Sequence, residues 1–450
     1  MPASSNADFP TLLESAVKFA KAAGADAADA VIGRNLSLSV GERLGKLEKL
    51  QRSEDQDMGL RVFIGKKQAI VSTSDFTNRA GLEELAQRAV AMAKVVPEDP
   101  YTGLADPAEI DKHPPQLEIL DPKEPSEAEL IALVREAEAT ARAVKGVTNS
   151  EGAEAGWGRS EMAMLASNGF YGGYAQSHSG VSVAVLAGEG TSMERDYDYS
   201  SAVFFGDLES AAVLGKNAGE RAVRRLNPRK VATEKVPIVL DTRVSSSIIA
   251  HMLGAINGSS IARGTSFLKD KMGEQIFAAG IDIVEDPHRA RGLRSMPFDG
   301  EGLPTHRRLL VENGVLKTWI LDLRSARQLG LKSTGNAHRG ASSPPSPGAA
   351  NVHIPAGKVS RDAMLKDIKR GLYVTEMMGS AVNGVTGDYS RGAAGYWIEN
   401  GELAYPVSEV TIAGNLKDMF KAITVADDLE FRYGINAPTL RIDGMTLAGA

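Results

Sequence analysis

Apolar residues recur at helical spacing over residues 11–23, where Leu12, Leu13, Ala16, Val17, Phe19 and Ala20 lie between Pro10 and Gly24. The pattern predicts a helix closed by a glycine. The period then changes to two. Residues 29–41 alternate through Val31, Leu36, Leu38 and Val40, and residues 59–73 predict two short strands around Gly65-Lys66-Lys67. A second helix is expected at 80–95, and the Pro- and Asp-rich stretch 97–125 reads as a long connection. Residues 126–144 predict a third helix, opened by a capping box of Ser126 and Glu129 and striped by Leu130, Leu133, Val134, Ala137 and Ala141. From 147 to 205 the chain reads as strands punctuated by glycines, and 208–226 returns to a helical pattern. Asn227-Pro228-Arg229-Lys230 breaks it, which sets an expected division between an N-terminal α/β domain, 1–230, and a C-terminal β-rich domain, 231–450.

The second half opens on an apolar strand, 236–240, followed by a helical stretch at 245–256. Asn313-Gly314 and Asn400-Gly401 stand in similar alternating frames. Each predicts a hairpin, because Asn-Gly accepts the positive φ angles of a type I′ turn. Between them, 335–357 holds Ser342-Ser343-Pro344-Pro345-Ser346-Pro347-Gly348, a composition too poor in apolar residues to pack a core, so a mobile loop is expected. Short helices are expected at 360–370 and 416–423. No repeat of 20–50 residues occurs, which excludes a solenoid. The expected fold class is α+β: N-terminal helices packed on a mainly antiparallel sheet, then a glycine-rich, barrel-like sheet with a few helices.

Composition narrows the function. The 51 Lys and Arg against 57 Asp and Glu give a net charge of −6, which argues against a nucleic-acid surface. With no cysteine in 450 residues, thiolate zinc sites, iron–sulfur clusters and cysteine nucleophiles are excluded. No apolar run approaches the roughly 20 residues of a membrane helix, and the first residues lack a signal-peptide pattern, so the cytoplasm is the expected compartment.

Catalytic motifs are missing. None of His113, His178, His251, His288, His306, His338 and His353 is followed by Glu, so there is no H-E-x-x-H helix. There is no G-x-S-x-G elbow, and Ser15/Lys18 and Ser266/Lys269 match S-x-x-K no more often than chance provides. Phosphate-binding loops are absent, and Gly188/Gly190 and Gly300/Gly302 read as turns. Acidic runs such as Glu194/Asp196/Asp198 read as solvated faces. The densest candidate is 375–397, where Asn383, Asp388, Ser390 and Arg391 stand among glycines that let another backbone approach. This composition suits either turns in a barrel-like sheet or a groove that takes an extended peptide by strand addition.

The run from Met378 to Gly384 is followed by Thr386-Gly387-Asp388-Tyr389-Ser390-Arg391-Gly392-Ala393 and Tyr396-Trp397-Ile398-Glu399-Asn400-Gly401. Tyr405-Pro406-Val407 and Thr411-Ile412-Ala413-Gly414-Asn415 come next. Together these stretches resemble the C-terminal signature of the TldD/PmbA family. Asp299-Gly300-Glu301-Gly302 and Ser333-Thr334-Gly335-Asn336 support the resemblance, which spans essentially the whole chain. The TldD kind of subunit carries an H-E-x-x-x-H zinc motif and a downstream Cys. Here the corresponding helix reads Ile248-Ile249-Ala250-His251-Met252-Leu253, and Glu376-Met377-Met378 stands near the expected Cys. The pattern is therefore similar to the PmbA (TldE) kind, with His251 read as a buried or interface histidine.

That resemblance implies a chain with no catalytic residue, metal ligand or cofactor of its own. It implies a heterodimer with a TldD-type subunit that supplies zinc and the general base. The complex would cleave unfolded peptides, including modified microcin precursors and antitoxin-type proteins. Asn383, Asp388, Tyr389, Ser390, Arg391 and Tyr405 are the candidate substrate or interface residues. The competing expectation is a non-proteolytic regulatory homodimer linked to gyrase. No nucleic-acid or membrane partner is expected.

Overall fold

The computed structural model describes residues 9–449. Helix α1 (Phe9–Ala22) leads into β1 (Ala27–Arg43), β2 (Lys46–Ile64), β3 (Lys67–Thr73) and α2 (Arg79–Val95). After the long connection come α3 (Glu127–Ala143), β4 (Val147–Ala166), β5 (Tyr171–Ala187), β6 (Glu194–Ala202) and α4 (Ala211–Arg224). The six strands form one antiparallel sheet in the order β3-β2-β1-β4-β5-β6. Alternate residues of its strands, such as Ala30, Ile32, Leu38 and Val40 of β1, are buried under the four helices.

Local signals explain the helix ends. Ser126 Oγ accepts the Glu129 N–H, and the Glu129 carboxylate accepts the Ser126 N–H. Ser126→Ala should therefore lower stability by about 1 kcal/mol, read as an earlier urea midpoint. An unmoved midpoint would show that the exposed box contributes nothing. The expected short strand at 59–64 is the inner end of the long β2. Its outer half, 46–57, is almost wholly exposed and polar, held by the ladder to β1 and by an exposed Arg52–Glu124 ion pair.

Strand β7 (Glu234–Leu240) and helix α5 (Thr242–Ala255) begin the second half, followed by the short helix α6 (Gly258–Ala262). A small sheet uses β8 (Ile283–Glu285), β9 (Arg308–Glu312) and β10 (Val315–Leu316), with α7 (Leu323–Leu329) beyond. Asn313 and Gly314 adopt φ of 48° and 80°, as the Asn-Gly pair demands. Strands β11 (Ala337–His338), β12 (Ser346–Pro347) and β13 (Val352–His353) and helix α8 (Arg361–Leu365) precede β14 (Arg370–Val382), β15 (Asp388–Glu399) and β16 (Glu402–Asn415). Helix α9 (Leu416–Lys421), β17 (Ile423–Val425), β18 (Ile435–Asn436) and β19 (Leu440–Ala448) complete it. Strands β16-β15-β14-β7-β19 are hydrogen-bonded in that order, and Thr411–Ala413 pair back to 446–448, closing a five-stranded barrel. The fold is thus the α+β class with a barrel-like C-terminal sheet.

Two expectations fail. The segment 335–357 is not a loose loop. Asn336, Ala337, Ala350, Asn351 and Val352 are buried, and the Asn336 amide donates to Glu285 at 2.7 Å. Burial here is bought with polar contacts, which an apolar count does not register. The segment also runs under the N-terminal sheet, where a Cβ on Gly59 would lie 1.8 Å from the Ala341 carbonyl oxygen. Likewise, Asp196 and Asp198 do not form a solvated face. Both are buried, with Asp196 2.8 Å from Arg243 and Asp198 3.1 Å from Arg221.

The two halves meet at a buried charge cluster. The Asp29 carboxylate accepts from Arg61 Nη2 at 2.5 Å and from Arg339 Nη1 at 2.8 Å, and the three side chains are at most 4% exposed. Phe170 of the first half packs edge-on against Phe298 of the second, with ring centroids 5.1 Å apart.

Candidate functional site

Helix α5 starts at Asp241, whose side chain accepts the Arg243 N–H, and buries Ile248, Ile249 and Met252 in the barrel core. That apolar stripe fixes the helix orientation and turns His251 toward β15. Tyr389 and Arg391, two positions apart on one strand, share a face. The His251 and Tyr389 rings meet edge to face with centroids 5.7 Å apart. The Tyr389 hydroxyl donates to Met377 Sδ on β14 at 3.3 Å, and a thioether is a weak acceptor. His251 Nε2 and Arg391 Nε are both buried without a hydrogen-bond partner.

Electrostatics follow from this packing. Burial, and then the Arg391 guanidinium, push the His251 pKa below its ordinary value, so the imidazole is neutral near pH 7. Burial pushes the Tyr389 phenol up to about 12, against a smaller opposing pull from Arg391. The cluster is therefore a neutral imidazole, a protonated phenol and a cation. It presents N–H and O–H donors and no carboxylate.

Such a set does not fit a catalytic metal. Zinc needs several His, Cys or carboxylate donors, and a neighbouring guanidinium repels a divalent ion. Among the described residues no group of three or more His, Cys, Asp or Glu stands close enough to hold a metal.

The sequence candidates divide in three. Tyr389 and Arg391 join His251, with Ser390 half-buried between them. Asn383 and Asp388 instead build the β14–β15 turn. Asn383 Oδ1 accepts from the Val385 and Thr386 N–H groups, and Asp388 accepts from the Thr386 hydroxyl and the Asn415 amide. Tyr405 lies opposite Trp397, toward the far end of β15 from Tyr389, beneath the Arg229 guanidinium at 4.4 Å. The role of His251 as the partner of these strand residues had one local signal, a polar residue inside the apolar run 248–253.

The strands around the site have a second property. β14 pairs with β15 along one side, but on the other only Leu372–Val374 are paired, to β7. Beyond Val374 that edge carries no strand among the described residues.

Comparison with known proteins assigns this architecture. The PmbA/TldA metallopeptidase family matches three stretches: domain 1 at residues 28–93, the central domain at 120–226 and the C-terminal domain at 233–449. The metalloprotease PmbA of Escherichia coli O157:H7 is 38% identical over 426 residues, 94% of this chain and 92% of that protein. The chain belongs to the PmbA/TldD metallopeptidase family. A PmbA homologue of Haemophilus influenzae is 37% identical over 96% of this chain and 94% of its own length. Among solved structures, a Bacteroides thetaiotaomicron protein described as a candidate modulator of DNA gyrase superposes with a TM-score of 0.91 at 26% identity, covering 99% of this chain and all of that one. TldE of Thermococcus kodakarensis shares the fold, with a TM-score of 0.85 at 22% identity over 97% of this chain and all of that one. The first two family segments build the six-stranded sheet and three of its four helices, with α1 preceding them; the third builds the barrel and the His251 cluster.

Proposed function

We propose that this chain is the non-metal subunit of a two-chain metallopeptidase, working in the cytoplasm with a TldD-type subunit and helping to enclose and orient unfolded peptides. The observation that carries the reading is helix α5. It presents a single imidazole, and that imidazole faces Arg391 rather than a set of ligands. A peptidase needs an activated water and a fixed scissile bond. Two chains can divide these tasks, one supplying the metal and base and the other supplying walls and strand edges. No step of bond cleavage is assigned to residues of this chain.

The test is cleavage of an unfolded peptide by the purified chain, by a TldD-type subunit, and by their mixture, each with and without chelator. Chelator-sensitive cleavage in the mixture, well above either chain alone, is expected. Cleavage by this chain alone would place a catalytic centre elsewhere in it. An unchanged rate on mixing would remove the two-chain reading and favour a regulatory role without proteolysis.

A further inference from the structure

Arg391 has no carboxylate partner among the described residues, and its Nε is buried without an acceptor. Holding a guanidinium half out of water with no counter-charge costs free energy, and buried polar groups are ordinarily satisfied. His251 Nε2, on the facing helix, is also buried and unpartnered, and Tyr389 has only a methionine sulfur for its hydroxyl. One spot on β15 is therefore lined by unpaired Arg391 donors, by a Tyr389 hydroxyl that has only a weak sulfur acceptor, and by His251 Nε2, which donates in the tautomer that carries its proton there. An anion would satisfy all three at once.

The surroundings say which anion. Met377, which touches the Tyr389 hydroxyl, lies on the stretch of β14 whose outer edge is unpaired. An extended chain added along that edge would run its backbone N–H and C=O groups past the cluster. We infer that Arg391, His251 and Tyr389 form a receptor for the carboxylate of an extended peptide seated on the edge of β14 beyond Val374 that no strand pairs, beside the Arg225–Glu376 ion pair. The carboxylate belongs to the peptide's C-terminus or to an acidic side chain. This inference rests on the reading that the chain handles peptide substrates, and it adds the group that is recognised and the residues that recognise it. Arg391 supplies the charge and a planar pair of donors, and His251 and Tyr389 fix the second oxygen. Asn383 and Asp388 stay outside the receptor, since their side chains are already used in the turn.

The test is fluorescence anisotropy of a labelled, unstructured ten-residue peptide with the full chain. Four probes are used: a free C-terminus or a C-terminal amide, each with a central Glu or Gln. The probe with the amide and Gln carries no carboxylate and should bind about 10- to 100-fold more weakly than its best carboxylate-bearing counterpart, the range for a hydrogen bond to a charged group. Whichever of the other three binds tightly identifies the source of the carboxylate. Arg391→Met should abolish the difference between probes, Arg391→Lys should restore part of it, and Tyr389→Phe should reduce it a few-fold. Equal affinity of all four probes for the wild-type chain would overturn the receptor. So would an undiminished preference in a folded Arg391→Met chain. These outcomes are separate from the cleavage assay: if mixing fails to produce cleavage while the carboxylate preference persists, the receptor stands and the two-chain reading falls.

Discussion

Replacing Asp29 by alanine is expected to lower the stability of the full chain by about 3 kcal/mol or more, the scale for removing one partner of a buried ion pair. The carboxylate sits between Arg61 and Arg339, and all three side chains are out of water. Burial opposes ionisation of Asp29, but Arg339 and then Arg61 outweigh it, and the pKa lies below the ordinary aspartate value. Without Asp29, two guanidiniums remain in the interior, and two nitrogens of Arg339 already lack acceptors. Glu301 lies within electrostatic reach of both arginines, but burial keeps its proton on near neutral pH, so it offsets little of the lost charge. Because Arg339 belongs to the second half and Asp29 to the first, the variant should also loosen their junction. Urea unfolding followed by tryptophan fluorescence and by circular dichroism would show an earlier midpoint, with the two signals separating. A shift equivalent to less than about 1 kcal/mol would mean that the cluster relaxes or hydrates without cost.

The second large effect is on pH dependence. Glu301 is buried at the same junction, and its carboxylate accepts the Leu323 N–H at 2.8 Å. Burial, then the neighbouring Asp299, push its pKa up to about 8, against the pull of Arg61. The folded chain thus binds this proton more tightly than the unfolded chain does. Its contribution to stability is complete below the ordinary glutamate pKa and is lost as pH rises through the folded value. Wild-type stability should fall between about pH 5 and pH 9. Glu301→Gln keeps an acceptor for Leu323 and has no proton to lose, so its profile should be flatter. At pH 9 the variant should exceed the wild type by an amount on the order of a few kcal/mol. Thermal unfolding midpoints across this range decide the matter, and parallel profiles for the two proteins would refute the assignment. Asp299, also raised by burial, contributes in the same direction at lower pH and remains in the variant.

What could be read from the sequence was whatever a few neighbouring residues determine. Ser126 with Glu129, and Asn313-Gly314 and Asn400-Gly401, fix a helix start and two hairpins through hydrogen bonds and φ angles of their own. The outer half of β2 was missed because hydrophobic patterning requires a buried face, and residues 46–57 have none. Arg339 and Asn336 sit in a serine- and proline-rich stretch whose order comes from Asp29 and Glu285, far away in the chain. The site shows the same limit. Arg391 stood out by composition, Tyr389 entered with the family resemblance, and a lone His251 read as a buried or interface histidine. Only the fold of α5 over β15 makes the three one cluster, while Asn383 and Asp388, equally polar, are used locally in a turn.

The barrel's connectivity has a consequence for how the protein is made. The six-stranded sheet grows largely from strands adjacent in sequence, so it can assemble as it is synthesised. Strand β7 cannot. Ile238, Val239 and Leu240 wait for Leu372–Val374 on one side and Leu440–Ile442 on the other. At about 5–20 residues per second, an apolar strand emerging from the ribosome stays unpaired for roughly 7 to 26 seconds before its first neighbour arrives. During that interval the nascent chain carries a finished sheet and an exposed, aggregation-prone segment side by side. Its yield in the cell should therefore depend on chaperones that shield the chain between residues 240 and 372, more than on the stability of the finished protein.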